Sequence, residues 1–308
     1  MLADKKIFIS VVCCFVLCAV LFLAGFMLFK NKTVEIVFTT DNNYKDYLIT
    51  TLKSAIANKN KNSIYNIHIL CVDLSEKDME KFKQLSAHNV NIYPINLSLN
   101  LIRGVGNYEI NYSVTRADLF KFFMPQLFPD LDKILYIDVD TVIMKDLTGL
   151  YNTNLGNKYL GAVNKCIPEK KKKSKFLWFK YKKNLYNYNC GVLLFNLKKF
   201  RQDGITEKLV VAKNSGKYKD LMTQQVFNAV LGQDKIVKLS PVYNTLVQWN
   251  QEMFEYCHFR QAFWKYCINI KSSEDLFKKA VIIHYVEDNK PWDKNSSPFA
   301  YLWEKYKN

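Results

Sequence analysis

The sequence predicts an α/β protein: a mostly parallel sheet flanked by helices, preceded by one membrane-spanning helix. Three observations predict it. From Val34 onward, apolar runs of strand length alternate with segments of helical periodicity, joined by short connections. Two of the apolar runs end in acids, Asp41 and Asp138, which is where sheets of this kind bind ligands. Ahead of them, Ile7 to Phe29 carries no charged residue, and as a helix this stretch spans roughly 34 Å, enough to cross a bilayer.

Taken in order, residues 1–6 form a short tail and 7–29 the anchor. A cleavable signal would have a shorter apolar core and a small-residue cleavage site, which Gly25-Phe26-Met27-Leu28-Phe29 does not offer. Lys5 and Lys6 on one side and Lys30 and Lys32 on the other leave the orientation open. Val34 to Phe38 reads as a buried strand ending in polar turn residues, and Leu48, Leu52, Ala55 and Ile56 recur at helical spacing after it. Tyr65 to Asp73 is a second strand. Ser75, three residues before Asp78, starts a helix whose Met79, Phe82 and Leu85 share a face. "NVNIYPI" is a third strand, and "SVTRADLFKFFMPQLFPDLD" an amphipathic helix closed by Pro129. Strands follow at Lys133 onward, at Tyr159 to Val163 and in "YNYNCGVLLFNL", with helices near Ile205 to Lys213 and Met222 to Leu231. The main domain is expected over 34–245, with 246–308 as an aromatic-rich C-terminal segment.

Within 308 residues, 49% are hydrophobic, which excludes a disordered chain, and the net charge of +16 points to an anionic partner. Much of the charge lies in "EKKKKSKFLWFKYKK", Glu169 to Lys183. In an anchored protein this segment reads as a contact to a membrane surface or an acidic acceptor, or else as a solvated loop. The lysines follow no recognition motif, so no nucleic acid is expected. Three of eight cysteines (Cys13, Cys14, Cys18) lie in the anchor. The other five (Cys71, Cys166, Cys190, Cys257, Cys267) form no disulfide or zinc pattern. Sequons occur at Asn31, Asn96, Asn111 and Asn295 without arguing for a secretory lumen.

The chemistry begins at "KILYIDVDTVI", Lys133 to Ile143. On an extended strand residues i and i+2 point the same way, so Asp138 and Asp140 stand side by side. Two like charges there need a cation or a shared proton, which leaves a metal site or a coupled acid pair. The other reading is a strand end whose acids cap a helix or face water.

Five stretches, "IVFTTDNNY", "LFKFFMPQLFPDLDKILYIDVD", "YNYNCGVLLFNLKKF", "TQQVFN" and "HYVEDNKPW", together resemble, in order and spacing, the retaining sugar-nucleotide glycosyltransferases of family 8 over about residues 34–293. The resemblance implies a Rossmann-like glycosyltransferase-A fold, with 34–245 binding the nucleotide sugar and 246–308 completing the site. It implies Asp138, Asp140 and His284 as ligands of Mn²⁺, with Mg²⁺ the alternative, and a UDP-sugar donor. It assigns the donor to Thr39, Asp41, Asn43, Tyr44, Val139 and Lys290, and the catalytic machinery to Gln224, Asn189 and Lys121. For Asp41 and Asn43 an ordinary Asx turn is the competing reading. Two carboxylates with one imidazole suit Mn²⁺ better than Mg²⁺, which favours all-oxygen shells.

Four positions depart from the family pattern: Thr223 for an acid, Lys121 for an arginine, Lys165 for an acid and Glu287 for a glycine. The expected function is transfer of a hexose from a UDP-sugar to a glycolipid, such as a lipopolysaccharide core, or to another glycan. The departures keep open a membrane-anchored nucleotide- or glycan-binding protein without turnover. "DVDTVI" also fits the D-x-D-x-[TV] signature of haloacid-dehalogenase-type phosphatases. The expected location is a single-pass membrane protein, in the inner membrane with a cytoplasmic catalytic domain if bacterial, in the Golgi membrane if eukaryotic.

Overall fold

The computed structural model describes residues 33–102, 105, 116–165, 188–217, 222–247, 270–286, 290–293 and 297–307. The tail 1–6, the expected anchor 7–29, the basic segment 169–183 and Glu287 lie outside the described residues. So do six of the cysteines and the sequons at Asn31, Asn111 and Asn295. Among the described residues no helix is long and apolar enough to cross a membrane.

Eight strands are needed to follow the main architecture: β1 (Thr33–Thr40), β2 (Ile64–Cys71), β3 (Val90–Asn96), β4 (Lys133–Ile137), β5 (Thr141–Ile143), β6 (Leu160–Asn164), β7 (Tyr188–Asn196) and β8 (Ile236–Lys238). All but β5 form one sheet in the order β3-β2-β1-β4-β7-β6-β8. It is parallel except for β7, which runs antiparallel to both β4 and β6. Both faces are covered, as a parallel sheet requires. Ile36, Phe38, Ile69 and Leu135 pack into one apolar cluster, Val37, Leu70, Ile134 and Tyr136 into the other.

The pairing decides where the site falls. β1 and β4 are parallel neighbours with Val37 opposite Tyr136, so Thr39 and Asp138 leave the sheet at the same edge. β7 is antiparallel to β4, with Val192 opposite Ile137, so its first residues, Asn189 to Gly191, arrive at that edge too. A second, three-stranded sheet, β5-β10-β9, adds β9 (Thr245–Leu246) and β10 (Ile282–His284) and delivers His284 to the same place. Strands of two and three residues carry too little periodicity to be seen in sequence, and neither β5 nor β9 was expected.

Where the amphipathic helix was expected from Ser113 to Asp132, Arg116–Phe123 is a 3-10 run and, among the described residues, only Met124–Leu127 is α-helical. Pro125 has no N–H to donate to the carbonyl four residues back, which disfavours a regular α-helix running through it, and proline is accommodated in the first turn of a new one. The helix at Ser75 starts as expected, with the Ser75 hydroxyl accepting the Asp78 N–H at 3.2 Å.

Helix Lys45–Asn58 does more than cover the sheet. Its buried face carries Thr51 and Ser54 among the apolar residues. The Thr51 hydroxyl lies 2.6 Å from the Val139 carbonyl and 2.8 Å from that of Thr141, and Ser54 Oγ accepts the Ile143 N–H at 2.9 Å. Asn58 donates to the Ile143 carbonyl at 3.0 Å. These bonds satisfy backbone groups at the aspartate bend and along β5 that the small sheet leaves over.

Candidate active site

β4 ends at Ile137, and residues 138–140 form a bend before β5 begins at Thr141. The two aspartates therefore do not share a face of one extended strand; the bend turns them together. The Asp138 N–H donates to the Gly191 carbonyl at 2.7 Å, and Thr141 Oγ1 donates to the Asp138 carbonyl at 2.9 Å. The bend is thus tied to β7 and to the helix Lys45–Asn58.

Asp138, Asp140 and His284 offer ligand atoms that all lie within 4.8 Å of one another. His284 Nε2 is 3.1 Å from Asp140 Oδ1 and 3.8 Å from Asp138 Oδ2. Two ammonium groups relieve the like-charge repulsion. Lys290 Nζ sits 2.8 Å from Asp140 Oδ2 and donates to the Tyr285 carbonyl at 2.7 Å. Lys121 Nζ sits 3.1 Å from Asp138 Oδ1 and 2.5 Å from Asp118 Oδ1, above the Tyr136 ring. Burial alone would raise the Asp140 carboxyl, but the charges of His284 and Lys290 overcome it and hold the group well below the usual carboxylate range. Burial likewise pulls the Lys121 ammonium down, and Asp118 and Asp138 outweigh it, so Lys121 stays charged. Burial pushes the Tyr136 phenol well above its ordinary range; it keeps its proton and donates it to Asp138 Oδ1 at 2.6 Å.

The imidazole tautomer follows from a chain of bonds that starts at a backbone amide. The Gly191 N–H must donate, so the atom of Asn189 that receives it at 2.9 Å is its carbonyl oxygen. That same oxygen accepts the Asn244 amide at 2.7 Å, leaving the Asn244 carbonyl to face His284 Nδ1 at 2.9 Å. Nδ1 therefore carries a hydrogen, and Nε2, which faces the carboxylates, is the nitrogen whose lone pair a cation would take in place of a proton. This donor set, two carboxylates and a basic imidazole nitrogen with its other nitrogen fixed from behind, fits a divalent cation. Replacing Asn244, which is fully buried, with alanine is expected to weaken divalent-cation affinity by about 10- to 100-fold. Calorimetry with Mn²⁺ on a variant of unchanged circular dichroism would check it.

Gly191 closes the cradle. A Cβ there would stand 2.0 Å from His284 Cε1 and 2.7 Å from both Asp138 Oδ2 and His284 Nδ1. No side chain fits between the strand and the ligands.

In front of these groups lies an open cleft of about 340 Å³. Thr39, Asp41, Tyr44, Val139, Lys290, Asn189, Gln224 and Lys121 all line it with the three ligand residues. Asn43 does not: its side chain is exposed, and its N–H closes an Asx turn on Asp41 Oδ1 at 2.9 Å. The Asx-turn reading is therefore the observed one for that oxygen, which also accepts the Tyr44 N–H at 3.2 Å. Gln224 Oε1 accepts from the Cys190 N–H at 3.2 Å and from Asn189 at 3.3 Å. Sequence reasoning missed Tyr136, Gly191, Asn244 and Asp118. Tyr136 sits two residues before Asp138, and a glycine inside an apolar strand signals close approach. Nothing local marks Asn244.

Residues 35–296 match the model of glycosyl transferase family 8. The chain belongs to that family. The match sets aside the phosphatase reading of "DVDTVI". Among family 8 relatives, the chain is 25% identical over 287 residues to glycosyltransferase GlyE of Streptococcus pneumoniae, covering 90% of this chain and 61% of the relative. It is 28% identical over 194 residues to probable galacturonosyltransferase 9 of Arabidopsis thaliana, covering 60% of this chain. The chain spans only about a third of that plant protein, 32%, and about three fifths of GlyE. Of solved family 8 structures, an active-site mutant of LgtC superposes with a TM-score of 0.70 at 22% identity, covering 89% of this chain and 95% of LgtC. LgtC in complex with donor and acceptor sugar analogs gives 0.69 over the same shares. These likenesses bear out the glycosyltransferase-A type α/β fold. Three of the family 8 departures line the cleft: Lys165 and Thr223 where acids were expected, and Lys121 where an arginine was.

Proposed function

We propose that this protein is a retaining hexosyltransferase that uses Mn²⁺ and a UDP-sugar, and that its acceptor is a glycolipid of the lipopolysaccharide type or a related glycan. The observation that carries the reading is the Asp138–Asp140–His284 cluster with Lys290 against it, opening on a cleft. When bound, the metal offsets the charge that builds on the departing diphosphate. Lys290 supplies a compact positive charge beside it, and Asp41 and Tyr44 stand on the wall that takes the nucleoside.

Gln224 bears on how configuration is kept. Double displacement needs a nucleophile beneath the sugar. An amide oxygen is a weak one, and this oxygen already accepts two hydrogen bonds. We therefore favour attack from the face the diphosphate leaves, through an oxocarbenium-like ion pair, with the leaving phosphate receiving the acceptor's proton. Residues 7–29 would anchor the protein and 169–183 would meet the acidic acceptor or the membrane surface, at the bacterial inner membrane or the Golgi membrane according to source.

The test is a calorimetric titration of UDP into the full chain in detergent, with and without Mn²⁺. Micromolar binding that requires the metal is expected. Binding of equal strength without metal, or none at all, would overturn the donor assignment. Release of UDP from a panel of UDP-hexoses then separates a working transferase from a binding protein without turnover.

A further inference from the structure

Asp118 belongs to the cleft wall, yet no role in holding metal or nucleotide falls to it. It lies on the 3-10 run, three residues before Lys121, whose ammonium bridges it to Asp138. Of that pair the carboxylate is the partner presented to the cleft: the Asp118 side chain is 18% exposed, that of Lys121 4%. One carboxylate oxygen faces Lys121, and the other accepts the hydroxyl hydrogen of the buried Thr223. An ionised carboxylate has about four lone-pair sites, so sites remain for further donors. Around it the wall continues with Gln224 and the exposed Met222.

The two ammonium groups mark two halves of the site, which are joined through the Tyr136 hydroxyl between Thr39 and Asp138. Asp140 is tied to Lys290, on the side of Tyr44 and Asp41; Asp138 is tied through Lys121 to Asp118 and Thr223. If the diphosphate sits against the carboxylate pair and Lys290, the group covalently attached to it, the donor hexose, extends along the second half. A sugar ring presents neighbouring hydroxyls, and a carboxylate is the side chain suited to receive two of them. We propose that Asp118 binds the donor hexose by accepting hydrogen bonds from its hydroxyls. This rests on the UDP-sugar reading above and deepens it: Lys121 and Thr223 hold the carboxylate in place, and the carboxylate selects a hydroxylated ring.

The experiment compares UDP with UDP-glucose and UDP-galactose, each titrated with Mn²⁺ into the full chain, in the parental protein and in Asp118→Asn and Asp118→Glu. Asp118→Glu keeps a counter-charge for Lys121 while moving the carboxylate by one methylene. UDP affinity is expected to stay within about twofold in both variants. The extra affinity that the parental protein gains from the preferred hexose is expected to fall by about tenfold or more, the size of a lost charged hydrogen bond. A hexose gain unchanged in both variants, with UDP still bound, overturns the proposal alone. Absence of Mn²⁺-dependent UDP binding in the parental protein overturns the donor reading, and this proposal with it.

Discussion

Asp140→Ala is expected to abolish Mn²⁺-dependent UDP binding, with cation affinity down at least about 100-fold, beyond what loss of a supporting residue costs. The substitution removes one of three ligand groups and also strands two others. Lys290 loses its 2.8 Å partner and His284 its nearer carboxylate. The metal-free protein should be destabilised as well. Breaking a fully buried pair costs about 3–5 kcal/mol, and with side chains 15–16% exposed the loss here should be smaller. The pH dependence has a definite sign. The folded-state carboxyl is depressed below its ordinary value near 3.8, so its contribution is present above that value and is lost as pH falls through the lower, folded one. Parental and variant proteins should therefore differ in stability at neutral and mildly acidic pH and converge in strong acid. Urea melts at several pH values in chelator measure this, and a difference that grows on acidification would contradict the assignment.

Gly191→Ala should be nearly as damaging, for a steric reason. The added methyl has no direction in which to move its neighbours. His284 is held from behind by Asn244, and Asp138 by Tyr136, Lys121 and the bond from its own N–H to the Gly191 carbonyl. Overpacking of this kind costs about 1–3 kcal/mol, and relieving it must displace a ligand, so Mn²⁺ binding should be lost while the rest of the sheet survives. Gly161→Ala is the control: the nearest atoms to its Cβ would be Leu155 Cδ2 and Leu239 Cδ2 at 3.2 Å and Leu239 Cγ at 3.4 Å, all of flexible side chains. Thermal melts and Mn²⁺ titrations of the two variants, side by side, check the contrast. Equal, mild effects would mean the cradle is softer than its geometry implies.

Much of this site could be read before any coordinates, and the reasons differ residue by residue. β1 and β4 were legible because both are predominantly apolar runs leading to acids, β1 interrupted only by Glu35 and closed by two threonines, and parallel pairing then places those acids at one edge. The bend at 138–140 was not, because the alternation rule assumes extended backbone and the bonds that override it come from Thr51, 88 residues away from Val139. Pro125 was present in the sequence, but the periodicity around it concealed the 3-10 geometry. His284 and Lys290 were found through a whole motif, since neither residue alone differs from a core histidine or one lysine among many. Asn43 was named by the motif alone, and in the structure its backbone closes the Asx turn on Asp41 while its side chain faces solvent beside the cleft. Asn244 acts through contacts 40 and 55 residues distant, to His284 and Asn189, and no local pattern encodes such a bond.

The position of β10 near the end of the chain has a consequence for biosynthesis. Lys290 follows Asp140 by 150 residues, and at translation rates of about 5–20 residues per second that interval lasts roughly 8–30 s. Through that time the emerging polypeptide can lay down β1 to β4 but lacks His284 and Lys290, the two groups that complete the Asp138–Asp140 cluster. β5 meanwhile waits with an unpaired edge that only β10 covers. A polypeptide interrupted in this interval lacks His284 and Lys290 and leaves the β10-facing edge of β5 open, an exposed edge of the kind that invites pairing with other chains.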